Sequence, residues 1–183
     1  MNEKGNDMDN SSIMNKAAWP TSLAVATILG CMALACIFPF AAFATLAALT
    51  MKPRNGLALV ASVWAVNQAI GFFLLSFPWD AQAVGHGIAI LGATLLAFGA
   101  AKLVLTKMKG NLAFGTPLAW VGAFAIYQVA LRAYASVGGG AENFSAEIIS
   151  AIALNDVLWL TGLMALRFVL AQFTGEKVTA AAA

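Results

Sequence analysis

From Trp19 to Phe173 the chain is almost continuously apolar, and the few breaks in that run set out its elements. They fall at Phe38-Pro39-Phe40, Lys52-Pro53-Arg54-Asn55-Gly56, Phe77-Pro78-Trp79-Asp80, Lys107 to Asn111 and Ser136 to Ser145. The segments between them predict helices near 17–38, 39–52, 57–77, 81–106, 113–136 and 145–172. At 1.5 Å per residue most of these can cross a hydrocarbon core of about 30 Å. The second reaches only about 21 Å, a length usual for a buried or re-entrant segment.

Charge placement argues for a spanning second helix. Threaded six times, the chain carries Lys4, Lys16, Lys52, Arg54, Lys102, Lys107, Lys109, Arg167 and Lys177 at one face, while Asp80, Glu142 and Glu147 lie in the opposite connections. By the positive-inside rule the basic face is cytoplasmic. The expected fold is therefore an all-α, six-transmembrane-helix bundle over 17–172, with polar cytoplasmic tails at 1–16 and 173–183. Met1 to Lys16 mixes charges and lacks the basic start and short apolar core of a cleaved signal peptide. Pro39 and Thr116-Pro117 read as helix starts and Gly110 as a stop.

Composition agrees with lipid as the solvent: 61% of the 183 residues are hydrophobic and 10% are charged, against roughly 25% charged in ordinary soluble domains. The net charge of +2 gives no reason to expect a nucleic-acid partner. Cys31 and Cys36 are five apart and point about 140° from each other on a helix, so they read as separate buried thiols.

Polar residues inside such a bundle must face its interior or a wet cavity. They are Asn67 and Gln68 on the third helix, Tyr127, Gln128 and Arg132 on the fifth, and Asn155 and Asp156 on the sixth. Trp64 shares a face with Gln68, and Trp159 with Asn155, so rings and amides line common surfaces, as a cavity for a bulky, partly polar ligand requires. The competing reading has the amides bonding one another between helices, with Arg132 and Asp156 as a neutralising ion pair. Trp79 and Asp80 rim the outer end, where Trp79 serves equally as an interfacial anchor. His86, the single histidine, has no ligand-type neighbours for a bare-metal cage, though one imidazole can bind a metal already held by a macrocycle. Walker A, HExxH, CxxC and GxSxG motifs are absent, and no enzymatic activity is expected.

Two small-residue stripes suit close helix approach: Ser22, Ala26 and Gly30 on the first helix, and Gly85, Gly92 and Gly99 on the fourth, flanked by Ala89, Ala93 and Ala97. They serve either packing within the bundle or docking of a membrane partner.

Short-looped helices with cytoplasmic ends, a small-residue first helix and a short second helix resemble the substrate-binding S-components of energy-coupling-factor transporters. Pro39-Phe40, Leu49 to Arg54, Trp64, Asn67 to Phe72 and Phe77-Pro78-Trp79 look most like the solitary, cobalamin-specific BtuM-like branch. The resemblance implies uptake of a vitamin-type molecule, cobalamin or a related corrinoid, from the outer side of a bacterial inner membrane. It also implies a coupling subunit and ATPases as possible partners, docking through Ser22, Ala26 and Gly30. That branch is known for a cysteine on the cobalt. The present sequence has none between its third and fourth helices, which leaves His86, or less favourably Cys36, as candidate axial ligand. The alternative expectation is a non-transporting membrane subunit or assembly factor.

Overall fold

The computed structural model describes residues 17–29, 38–108 and 111–174, and every regular element among them is helical. Helix α1 covers Ala17–Leu29 and α2 Phe40–Thr50. Helix α3 runs Pro53–Ala69 and continues as a π turn, Ile70–Leu74. Helices α4 (Ala81–Lys107) and α5 (Leu112–Gly138) follow, then a 3₁₀ turn at Ala141–Phe144 and α6 (Ala146–Thr174). Four helices are long and apolar enough to cross a membrane: α3 with its π turn, α4, α5 and α6. The chain thus has the architecture of a multi-pass membrane protein. In the most apolar stretch of each spanning helix no more than 33% of the residues are buried, leaving most side chains directed outward, where lipid would meet them.

Helix α2 is built on the opposite plan. Ten of its 11 residues are buried, although its length is only about 16 Å. Its sequence, FAAFATLAALT, alternates rings and leucines with alanines, so neighbouring backbones can approach it from all sides. Buried Ala93, Ala97 and Ala101 of α4, and Ala119 and Ala123 of α5, belong to the same core.

A buried helix carries its dipole with it, and α2 has no acidic residue in its first turn and no basic residue in its last. Other helices supply both. At its N-terminus Oδ2 of Asp156 accepts from Ala42 N at 2.9 Å. At its C-terminus Lys102 Nζ lies 3.3 Å from the Ala48 carbonyl and 3.4 Å from that of Met51, donating to both. Anion at the N-terminal end and cation at the C-terminal end is the arrangement the macrodipole favours. Beside that C-terminus, Trp19 Nε1 donates to Thr50 Oγ1 at 2.9 Å, and the Arg167 guanidinium sits 5.3 Å over the Trp19 ring. These contacts bring Lys102 and Arg167 to the end of the bundle where Lys52 caps α3 and Lys107 closes α4. Asp80, Glu142 and Glu147 belong to the starts of elements at the other end.

Several expected boundaries move. Helix α3 starts at Pro53 itself, not near residue 57, because Pro at the first helical position has no N–H to leave unpaired. It stops being α-helical before residue 77. Leu75 N bonds to Ile70 O at 3.0 Å in the wide π pattern, and Phe77 N bonds back to Gly71 O at 3.0 Å. The Phe77 ring then occupies the space where a Cβ on Gly71 would stand, 2.7 Å from its nearest atom. Thr116-Pro117 is not the start of α5. Asn111 is its cap, with Oδ1 accepting from Phe114 N at 3.3 Å, and Pro117 lies inside the helix. On α1 it is Leu23 and Thr27 that are fully buried, with Ser22 and Ala26 half-buried beside them. On α4 the two sets of small residues diverge, since Ala93 and Ala97 face the core whereas a Cβ on Gly92 or Gly99 would meet nothing. Helix α6 runs to Thr174, past the expected start of the C-terminal tail at 173; Gly30, Cys31, Cys36, Gly110, residues 1–16 and 175–183 and Lys109 lie outside the described residues.

Lys102→Met, which keeps the aliphatic stem and removes the charge at the end of α2, is expected to lower stability by about 1–2 kcal/mol, read as an earlier midpoint on SDS titration of the protein in mixed micelles. Gly71→Ala should cost about 1–3 kcal/mol in the same assay through overpacking against Phe77. Gly92→Ala, facing open space inside α4, should not lower the midpoint and should raise stability by up to about 1 kcal/mol through helix propensity.

Candidate functional site

Two adjoining cavities open above the N-terminus of α2, toward the α3–α4 and α5–α6 connections. The larger has a volume of about 290 Å³ and is walled by Phe38, Phe40 and Ala41, by Phe124, Tyr127, Gln128 and Leu131 of α5, by Asn143 and Phe144, and by Ile148, Ile152 and Asp156 of α6. The smaller, of about 250 Å³, lies on the α3 side against Asn67, Ile70, Gly71, Leu75 and Phe77. Phe38, Phe40, Ile90 and Tyr127 border both. The Phe40 and Tyr127 rings are stacked, 6.2 Å apart and inclined by 28°, while Phe38 lies 4.4 Å from Phe40. Offset ring pairs of this kind hold one another in place beyond their area burial. They make a partition between the chambers.

Sequence dictates this lining in a simple way. On α5, Trp120, Phe124, Tyr127, Gln128 and Leu131 recur at helical spacing and form one inward stripe. Pro39 precedes α2 as its cap residue, so Phe38 and Phe40 on either side of it stand at the chamber floor. The π turn that ends α3 carries Gly71 and Phe77 into the wall of the smaller chamber.

Asp156 is the chemical centre of the larger chamber. It is 2% exposed, and its Oδ2 accepts from both Ala42 N and Trp120 Nε1, each at 2.9 Å. Two N–H donors on one oxygen, one of them at a helix N-terminus, suit a carboxylate anion. Gln128 lines the same chamber, and its Nε2 is covered with no hydrogen-bond partner, as is Thr116 Oγ1 lower on α5.

Of the residues expected to form the site, Asn67, Tyr127, Gln128 and Asp156 come together around these chambers. Others have structural partners elsewhere. Trp64 Nε1 donates to the Gly87 carbonyl at 2.7 Å, tying α3 to α4. Gln68 packs against the same Gly87 and donates to Asn67 Oδ1 at 3.4 Å. Trp159 packs against the core, and Asn155 is half-buried on α6. Asp80 caps α4, its Oδ1 accepting from Ala83 N at 2.7 Å. Trp79 is exposed and leans on Phe72, ring centroids 4.4 Å apart. Arg132 is exposed and does not meet Asp156, whose partners are Ala42 and Trp120.

His86 closes the acidic end. Its Nδ1 lies 2.8 Å from the Gln82 carbonyl and its Nε2 3.1 Å from that of Gly139, and the ring stands edge-on to Tyr134 at 5.1 Å. Both nitrogens face backbone oxygens, so ligation of a metal would require one of these contacts to be given up. Among the described residues no group of three or more His, Cys, Asp or Glu is placed to hold a metal ion. Sequence reasoning overlooked Trp120, which the periodicity of α5 marks, and Lys102, whose partners are backbone carbonyls that no sequence pattern displays.

No family model matches the chain, and no curated protein or solved structure is found to be similar to it.

Asp156→Asn keeps an oxygen for Ala42 and Trp120 and should cost under about 1.5 kcal/mol, whereas Asp156→Leu strands both donors and should cost about 2–4 kcal/mol. Equilibrium unfolding of the two variants in the same micelles separates hydrogen bonding from charge at this position.

Proposed function

We propose that this chain is a membrane-embedded binding and uptake protein for a small molecule of the vitamin type. The observation that carries the proposal is the paired chamber around the Phe40–Tyr127 partition, apolar over most of its wall and lined also by Gln128 and buried Asp156. Ligand sites have this make-up: rings for contact area and a few polar groups for orientation. With the basic end toward the cytoplasm, as the positive-inside rule requires, the chambers open to the outside of a bacterial cytoplasmic membrane. In this reading α1 and α2 belong to the first two of six crossings, with both termini inside. An energy-coupling subunit with its ATPases would dock on the outer face of α1, beside Ser22 and Ala26.

Chambers of about 250 and 290 Å³ each fall just below the usual range of ligand sites, roughly 300 to 1,000 Å³. Within the vitamin class they favour a ligand of one or two rings. Cobalamin remains the ligand proposed by the resemblance. Its entry requires the Phe40–Tyr127 partition to move aside, and cobalt ligation by His86 requires release of Gln82 or Gly139. The competing reading, a non-transporting subunit whose polar residues only lock helices together, gives the two chambers no role.

Thermal unfolding of the purified protein across a panel of vitamins and their precursors tests the proposal. A true ligand at a hundredfold excess over its Kd should add about 2.7 kcal/mol. Cobalamin is read in parallel by its visible spectrum, with His86→Ala as the control for cobalt ligation. A panel in which no compound moves the transition would favour the non-transporting subunit.

A further inference from the structure

The charge balance of the larger chamber identifies the class of molecule it takes. Asp156 brings a whole negative charge if ionised, and the α2 N-terminus beside it offers about half a positive charge. No lysine, arginine or histidine lines the chamber. Lys102 is committed to the carbonyls at the far end of α2, about 16 Å away, and Arg132 is exposed. The wall around the carboxyl group is instead aromatic: Phe38, Phe40, Phe124, Tyr127 and Phe144. Ring faces attract cations, the more so out of water. A carboxylate at 2% exposure within an aromatic enclosure favours a positive guest and rejects a negative one. Gln128 lines the same chamber, and its Nε2, covered and without an acceptor in the empty chamber, would meet an acceptor on the guest by a turn of the side chain.

We propose that the larger chamber binds a small organic cation that also carries a hydrogen-bond acceptor, the cationic nitrogen set against Asp156 and the rings, the acceptor against Gln128. This rests on the reading of the chain as a small-molecule binder and narrows its cargo. Neutral and anionic ligands of the same shape are discriminated against by the charge that the α2 N-terminus only partly offsets, and simple alkylammonium ions by the unfilled Gln128 donor.

The test uses the full chain in detergent micelles at neutral pH and four probes of nearly one shape: para-methoxyphenethylammonium, phenethylammonium, para-methoxyphenethyl alcohol and para-methoxyphenylacetate. The methoxy ammonium compound should raise the unfolding temperature, phenethylammonium less so, and the alcohol and the acid not at all. Asp156→Asn, which retains the oxygen bonded to Ala42 and Trp120, should weaken the methoxy ammonium compound by about 30-fold or more. Gln128→Leu should abolish the preference for the methoxy group. If Asp156→Asn fails to fold, the probe comparison on the unaltered protein still decides. The alcohol or the acid binding as tightly as the ammonium ions would overturn the cationic cargo while leaving small-molecule binding intact. An equal shift by sodium or potassium chloride alone would assign the charge to a metal ion and overturn it as well. No shift with any of the probes, while a member of the vitamin panel does bind, would reject the cation and keep the general reading; silence from both sets would reject the two together.

Discussion

A short helix held wholly inside a bundle needs a partner for each end of its dipole, and in this protein that need is met by Asp156 at the N-terminus of α2 and Lys102 at its C-terminus. Neither residue is local to α2 in sequence. The N-terminal end of α2 is deeply buried, so its free amide is answered by the Asp156 side chain, while part-buried Lys102 adds a cation at the other end. A carboxylate and an ammonium on different helices are thereby fixed relative to each other through the length of α2. The spanning helices α4 and α6 are in turn held to a common core element.

The chambers follow from the same arrangement. Helix α2 fills the half of the bundle toward the basic end and stops at Phe40, leaving the other half to be lined by the rings and amides of α3, α5 and α6. The carboxylate that answers the α2 dipole therefore also stands on the floor of the larger chamber. One residue serves the end of α2 and the chamber floor together. Gly71 and Phe77 complete the wall on the α3 side, because the close fit of the ring on the glycine turns the chain back at the π turn.

The polar residues of the apolar segments divide into two groups in the structure. Asn67, Tyr127, Gln128 and Asp156 lie on the helices expected of them and border the chambers. Trp64, Asp80 and His86 do not border them. Each found a backbone partner across a helix pair, within a first turn or across a connection. Such bonds are set by interhelical distance and cap geometry, which spacing along one helix does not contain. Arg132 shares a helical face with Gln128, yet four residues nearer the helix end it emerges exposed while Leu131 takes the wall.

The order of apolar segments, the separation of basic from acidic connections and the helical stripes were determined by the sequence alone, because hydrophobic length, charge bias and the 3.6-residue period are properties of single segments. Tertiary structure decided which segment becomes the buried one and what meets its ends. It also joined Asp156 to Ala42 and Trp120, and Lys102 to α2. Those outcomes depend on long-range approach of several helices at once, where the cost of an unsatisfied backbone group away from water selects the pairing.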